Sequence, residues 1–103
     1  MKECYIRKLT TRPAIADVWT QEPGKALITR INVPHEHRRE GHGTALLEQI
    51  LRDADHEGVT LFIEVQASDG PSRDALLEWY LKYGFKSSDI FKYFLMREPV
   101  TPA

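Results

Sequence analysis

The stretch Val33-Pro34-His35-Glu36-His37-Arg38-Arg39-Glu40-Gly41-His42-Gly43-Thr44 decides how this 103-residue chain is read. Pro34 ends a strand, a basic loop follows, and the apolar residues at 46, 47, 50, 51 and 54 then repeat at helical spacing. The first amides of a helix lack intrahelical acceptors and lie at the positive end of its dipole, so this junction suits an anion such as a pyrophosphate. Gly41 and Gly43 remove side chains that would keep phosphates from the backbone. Arg38 and Arg39 can add charge-assisted contacts. A lone Gly-x-Gly serves a tight turn equally well. A dinucleotide fold would place a third glycine where Leu46 stands, and a Walker A loop would carry Gly-Lys-Ser/Thr where this chain has Gly43-Thr44-Ala45.

Working outward, residues 4–7, 14–19 and 26–33 are rich in aromatic and β-branched side chains and read as an antiparallel meander. Glu22-Pro23-Gly24-Lys25 puts Pro and Gly at the central positions of a type II turn between the last two. Downstream, Gly58 stops the first helix and residues 59–65 form a largely buried strand. That is a βαβ unit, whose strands are parallel if they are neighbours. Ser68-Asp69-Gly70-Pro71-Ser72 offers N-caps for a second helix over 73–83, with a stripe at 76, 79, 80 and 83 and Gly84 at its close. Residues 92–98 read as the last strand. The expected fold is a mixed α/β sheet with helices packed on it, in one domain over 1–103: strands in 1–25, strand-helix-strand in 26–66, and a helix and strand in 67–98.

Composition supports that economy. With 42% hydrophobic residues the chain can fill one core, and 103 residues are too few for two. A formal net charge of -1, from 14 basic and 15 acidic residues, argues against nucleic acid or an anionic membrane as a partner. Cys4 is the only cysteine, which removes intrachain disulfides and thiolate metal clusters and fits a reducing, cytoplasmic setting. The opening residues lack the apolar run of a signal peptide, and no stretch approaches the length of a membrane span.

Ile31-Asn32-Val33-Pro34 followed by Arg38-x-x-Gly41-x-Gly43 resembles the acyl-CoA-binding strand and loop of the GNAT superfamily of N-acyltransferases. Trp79-Tyr80-Leu81-Lys82-Tyr83-Gly84-Phe85 resembles that family's aromatic-Tyr-x-Lys-x-Gly-Phe segment. Two motifs in the family's order are far more specific than one, and the likeness covers roughly residues 26–98. It implies that the strands at 26–33 and 59–65 splay at their carboxyl ends, with pantetheine between them. Backbone groups of Ile31, Asn32 and Val33 would then bond the pantetheine and thioester, and Arg38, Arg39, Glu40, Gly41, His42, Gly43 and Thr44 would hold the pyrophosphate of acetyl-CoA.

The resemblance makes Tyr80 the general acid for the leaving thiolate, whereas spacing alone reads it as a core tyrosine on the stripe of the second helix. The family's strand glutamate falls near Leu27, which cannot accept a proton. Glu64, at the end of the strand beside the crevice, is the next candidate base, with Asp17, Asp69 and a water relay open. The family's asparagine falls near Ser72 or Arg73, and Arg73 can approach a CoA phosphate or solvate the helix start. His35, His37 and His42 with Glu36 invite a metal reading, but polar loops collect histidines readily and no metal is expected. The expected activity is acetyl transfer from acetyl-CoA to a primary amine. Most family members carry N-terminal helices that wall the acceptor side, whereas residues 1–25 read as strands. An open site favours a bulky acceptor such as a protein lysine, and a homodimer could supply a wall instead. The rival reading is a catalytically silent acyl-CoA-binding module.

Overall fold

Alternating burial along the strands determines which face of the sheet meets the helices. The computed structural model describes residues 1–10, 12–66 and 70–100. Strands β1 (Cys4–Arg7), β2 (Ala14–Glu22) and β3 (Lys25–Asn32) form the expected meander, and Gly24 takes the positive φ of 83° that its turn requires. A 3-10 turn at His35–His37 leads into α1 (His42–Glu57), and β4 (Thr60–Glu64) completes the βαβ unit parallel to β3. Helix α2 (Arg73–Lys82), β5 (Lys86–Ser87) and β6 (Phe94–Arg97) follow. The sheet order is β1-β2-β3-β4-β6-β5, with every pair except β3-β4 antiparallel. The mixed α/β sheet expected from the sequence is therefore present.

Tyr5, Ala16, Val18, Ala26, Ile28, Leu61, Ile63 and Leu95 lie on one face of the sheet and are buried. Against them α1 sets Leu46, Leu47, Ile50, Leu51 and Ala54, the five positions picked out by helical spacing. Two polar ties hold the helix to that face. The Tyr5 hydroxyl donates to Asp53 at 2.6 Å, and Arg97 of β6 reaches Asp55. Gly58, at φ 71°, ends α1 by donating its N–H to the Ala54 carbonyl. The opposite face carries Ile6, Trp19, Phe94 and Met96, all exposed.

Several boundaries differ from the sequence reading. β2 runs on through polar Thr20, Gln21 and Glu22, because pairing with β3 down to the turn holds residues that have no apolar alternation of their own. β6 begins at Phe94, with Lys92 and Tyr93 in a turn, although the Tyr93 carbonyl still accepts from Val65 N–H at 2.8 Å. The two-residue β5 is too short to leave a pattern in the sequence. On α2 the residues buried most deeply are Leu77 and Tyr80, with Leu76, Trp79 and Tyr83 only partly covered, so the stripe is rotated slightly toward Leu77. No helix among the described residues is long and apolar enough to cross a membrane.

Candidate active site

The site begins at an irregularity in β3. Asp17 pairs with Arg30 and Val18 with Ile28, leaving Thr29 as an extra residue, whose hydroxyl donates to the Asp17 carbonyl at 3.2 Å. A bulge of this kind bends the strand that carries it. The parallel β3-β4 pairs stop at the same level, at Ile28 and Ile63. Beyond it β3 continues to Asn32 beside β2, while Glu64 of β4 pairs with Phe94 of β6. The two strands part, as the resemblance implied, and the gap opens into a cavity of about 1230 Å³.

Helix α1 points its first turn at this cavity. Its N-cap is Gly41, no side chain caps it, and its first turn holds no acidic residue. Helix α2 differs on each count: the Ser72 hydroxyl accepts from Ala75 N–H at 3.1 Å, and Asp74 sits in its first turn. One first-turn amide of α2 thus has a side-chain acceptor within the chain, whereas no side chain caps the first turn of α1.

The two glycines of the loop do different work. Gly41 sits at φ 84°, where an L side chain is strained. Gly43 has no such requirement, and a Cβ there would meet only Val33 Cγ2 at 3.6 Å, an ordinary contact. Gly41→Ala should therefore destabilise the free protein by about 1–2 kcal/mol, while Gly43→Ala should stabilise it by about 0.5–1 kcal/mol. Chemical denaturation of the two variants checks this; equal effects of one sign would contradict it. Arg39 also takes a positive φ, 69°, an uncommon conformation for any residue other than glycine, and one that the sequence did not reveal.

Of the residues singled out from the sequence, Ile31, Asn32, Val33, Arg38, Arg39, Gly41, His42, Gly43, Thr44, Glu64 and Tyr80 all line the cavity. Arg38, which closes the 3-10 turn, lies with Nε 3.5 Å from the Val33 carbonyl and its guanidinium near Gly70, where an added Cβ would come within 3.2 Å of it. Two residues stand elsewhere. Arg73 donates to the Val65 carbonyl at 2.9 Å and stacks over the Tyr93 ring at 3.7 Å, in a neighbouring cavity. Glu40 turns onto two histidines: its Oε1 lies 3.1 Å from His37 Nδ1 and 3.0 Å from His42 Nε2. Those imidazoles, His37 first, hold the Glu40 carboxylate below its ordinary range.

His37, Glu40 and His42 bring three potential ligand atoms within 4.8 Å of one another. Arg7 Nε, which can only donate, faces His42 Nδ1 at 3.2 Å. Nδ1 is thereby the acceptor, and the Nε2 hydrogen points at Glu40. A metal on Nε2 would leave an Nδ1–H facing the guanidinium, which does not fit the usual outer shell of a metal-bound histidine. The cluster fits a hydrogen-bonded brace under the loop, anchored at its other end by Thr10 Oγ1 at 2.9 Å from His37 Nε2.

Tyr80 is 6% exposed, its ring packed on Trp79 and Phe85. Burial pushes its phenol well above the ordinary tyrosine value, so it keeps its proton at neutral pH. Glu64 is exposed, although its neighbours Ile63 and Val65 are buried, because alternation turns it to the opposite face. Asp17 is paired with Arg30 at 2.7 Å. Asp69 lies outside the described residues. Leu27 lines the cavity at the level where the sequence lacked a carboxylate. Sequence reasoning missed Arg7, remote by 35 residues from the histidine it contacts, and Phe94, whose place at the cavity depends on its pairing with Glu64.

A model of the acetyltransferase (GNAT) domain matches residues 5–87. The chain belongs to the GNAT acetyltransferase family. Solved GNAT-fold structures agree. A ribosomal-protein alanine N-acetyltransferase from Escherichia coli superposes with a TM-score of 0.70 at 23% identity, over 93% of this chain and 67% of its own. N-acetylglutamate synthase from Neisseria gonorrhoeae, in complex with coenzyme A and L-arginine, gives 0.68 at 20% identity over 94% of this chain and 24% of its own. The anti-CRISPR protein AcrVA5 gives 0.67 at 17% identity, over 92% of this chain and 98% of its own. Identities this low speak for the fold alone. No curated protein sequence matches this one.

Proposed function

We propose that this GNAT domain is an N-acetyltransferase that moves an acetyl group from acetyl-CoA to a primary amine on a bulky acceptor, a protein lysine foremost. The observation that carries this reading is the uncapped first turn of α1, opening with Gly41, His42, Gly43 and Thr44 onto a cavity between two parted parallel strands. Pyrophosphate would occupy the free amides, with Arg38 and Arg39 beside it. Glu40 would act at one remove, bracing His37 and His42 under the loop. Pantetheine would run into the gap between β3 and β4, where Arg30 to Asn32 have β2 on one side and no β4 pairing on the other.

The acceptor ammonium would lose a proton to Glu64, directly or through water, and the freed amine would attack the thioester carbonyl carbon. The new C–N bond leaves a tetrahedral oxyanion, which collapses by breaking the C–S bond. Tyr80 would donate its hydrogen to the departing sulfur and regain one, through water, as the new amide nitrogen sheds its extra proton, giving free CoA and an acetylated amine with the first proton held on Glu64. Burial that holds the phenol above its ordinary value keeps Tyr80 in the protonated form a donor must have.

The exposed sheet face bearing Trp19, Phe94 and Met96 favours an acceptor too large to be enclosed. Incubation with acetyl-CoA and lysine-containing peptides or folded proteins, read as release of CoA thiol, tests the activity. Transfer to peptide or protein lysines is the expected result; transfer confined to small free amines would overturn the acceptor assignment.

A further inference from the structure

Beside the crevice lies a second cavity of about 500 Å³, and Glu64 and Phe94 line both. Its outer wall is the segment before β6, where Ile90 is 82% and Phe91 65% exposed. With Phe94 they line one cavity, and exposed apolar side chains gathered in one patch, unlike single scattered ones, mark a binding surface. They do not sit on a loose loop. Phe91 N–H donates to Ser88 Oγ at 2.7 Å, Phe94 N–H donates to the Phe91 carbonyl at 3.2 Å, and the Tyr93 hydroxyl donates to Asp74 at 2.5 Å. The wall is preformed, so an occupant is spared the entropy of ordering it.

Charge indicates what goes where. Glu64 is the only carboxylate among the described residues lining either cavity. A cationic amine is drawn to that point, between the two spaces. Arg73 and Lys92 also line the second cavity, Arg73 bonded to the Val65 carbonyl and Lys92 3.6 Å from Asp74, and these two cations disfavour another there and leave the apolar wall as the attraction. The volume holds one or two side chains rather than a folded element.

We infer that the second cavity is a specificity subsite: it takes a large apolar side chain next to the acetylated lysine, so that the acceptor is a protein segment pairing lysine with a neighbouring aromatic or long aliphatic residue. This rests on the acetyltransferase reading above and names the acceptor class for the same site. Phe94 and Glu64, shared by both cavities, set the spacing: an apolar group seated against Phe91 and Phe94 brings its neighbour's amine to Glu64 at the mouth of the crevice.

The test compares two peptides identical except that the residue adjacent to a single lysine is Phe or Ser, using the wild-type chain and the surface variants Ile90→Ser and Phe91→Ser. In the wild type, kcat/KM should favour the Phe peptide roughly tenfold. In each variant that ratio should fall toward one, while the Kd for acetyl-CoA and the Tm stay at wild-type values. Equal rates on the two peptides in the wild type, or a preference that survives both variants, would overturn the inference. So would a chain that binds acetyl-CoA yet acetylates neither peptide, an outcome that leaves the cofactor site intact. Absence of acetyl-CoA binding would remove the acetyltransferase reading itself, and this inference with it.

Discussion

Replacing Asp55 by alanine should lower the unfolding free energy by about 3 kcal/mol, the scale expected when one partner of a buried ion pair is removed. Arg97 is 7% exposed, and its guanidinium meets Asp55 in a two-pronged contact at 2.8 and 3.0 Å. Its Nε donates to the Tyr83 carbonyl at 2.9 Å, so the side chain cannot swing out to water without also losing the end of α2. Asp55 accepts in addition from Val100 N–H at 2.8 Å. One carboxylate thus ties α1 to β6, to α2 through Arg97, and to the residues after β6. In Asp55→Ala the charge of Arg97 stays buried without a counterion, and that residual charge, more than the lost attraction, causes the loss. The double variant Asp55→Ala/Arg97→Met should recover much of it. Urea denaturation of the three proteins reads this out; a loss under about 1 kcal/mol in the single variant would show that water reaches Arg97 freely.

The same pair predicts acid sensitivity. Hydrogen bonds from Arg97 lower the Asp55 pKa from the ordinary 3.8; burial opposes this, and the Val100 N–H and the charge of Arg97 add to it. A carboxyl with a depressed folded-state pKa stabilises the fold above its unfolded value, and the contribution is lost as pH falls through the folded value. The wild type should therefore lose its margin over Asp55→Ala below the ordinary aspartate range, and the two stabilities should converge in strong acid.

The second large effect is catalytic. Tyr80→Phe should lower kcat by roughly 10²-fold, within the usual span for a positioned acid, and leave the Kd for acetyl-CoA unchanged. The substitution removes one hydroxyl from a ring held at 4.9 Å from Trp79 and 5.5 Å from Phe85 by centroid, so the packing of α2 survives. Only an interaction made as the thiolate departs is taken away. Steady-state kinetics with a peptide acceptor, together with calorimetric titration of acetyl-CoA, separate the two quantities. A variant that keeps full kcat would move the proton donor to water; a silent acyl-CoA-binding module would have no transfer to lose.

The sequence disclosed what is local or periodic. Leu46, Leu47, Ile50, Leu51 and Ala54 repeat at helical spacing, and all five are buried. Pro23-Gly24, Gly58 and Gly84 mark chain reversals and helix ends by steric necessity, and each glycine takes the expected positive φ. The basic glycine loop between a strand and a helix led to the cavity. What the sequence withheld depends on partners distant along the chain. The Thr29 bulge arises from a mismatch between β2 and β3, and no pattern within β3 announces it. Glu40 reads as part of an anion loop, and only the fold brings His37 and His42 onto it; Arg73 reads as a phosphate ligand or a solvated helix start, and only the fold sets Tyr93 beneath its guanidinium. Ile90 and Phe91 fall between the predicted elements, and their meaning comes only from the cavity they wall.

Thermal unfolding with and without saturating acetyl-CoA bears most directly on the claim that the first turn of α1 and the parted β3-β4 pair form an acyl-CoA site. A ligand that binds only the native chain must stabilise it, by about 2.7 kcal/mol at a hundred times Kd. The predicted result is a clear rise in Tm that grows with acetyl-CoA concentration and is lost in Arg38→Glu, whose charge opposes the pyrophosphate. An unchanged Tm in the wild type, or an equal rise in Arg38→Glu, would contradict it.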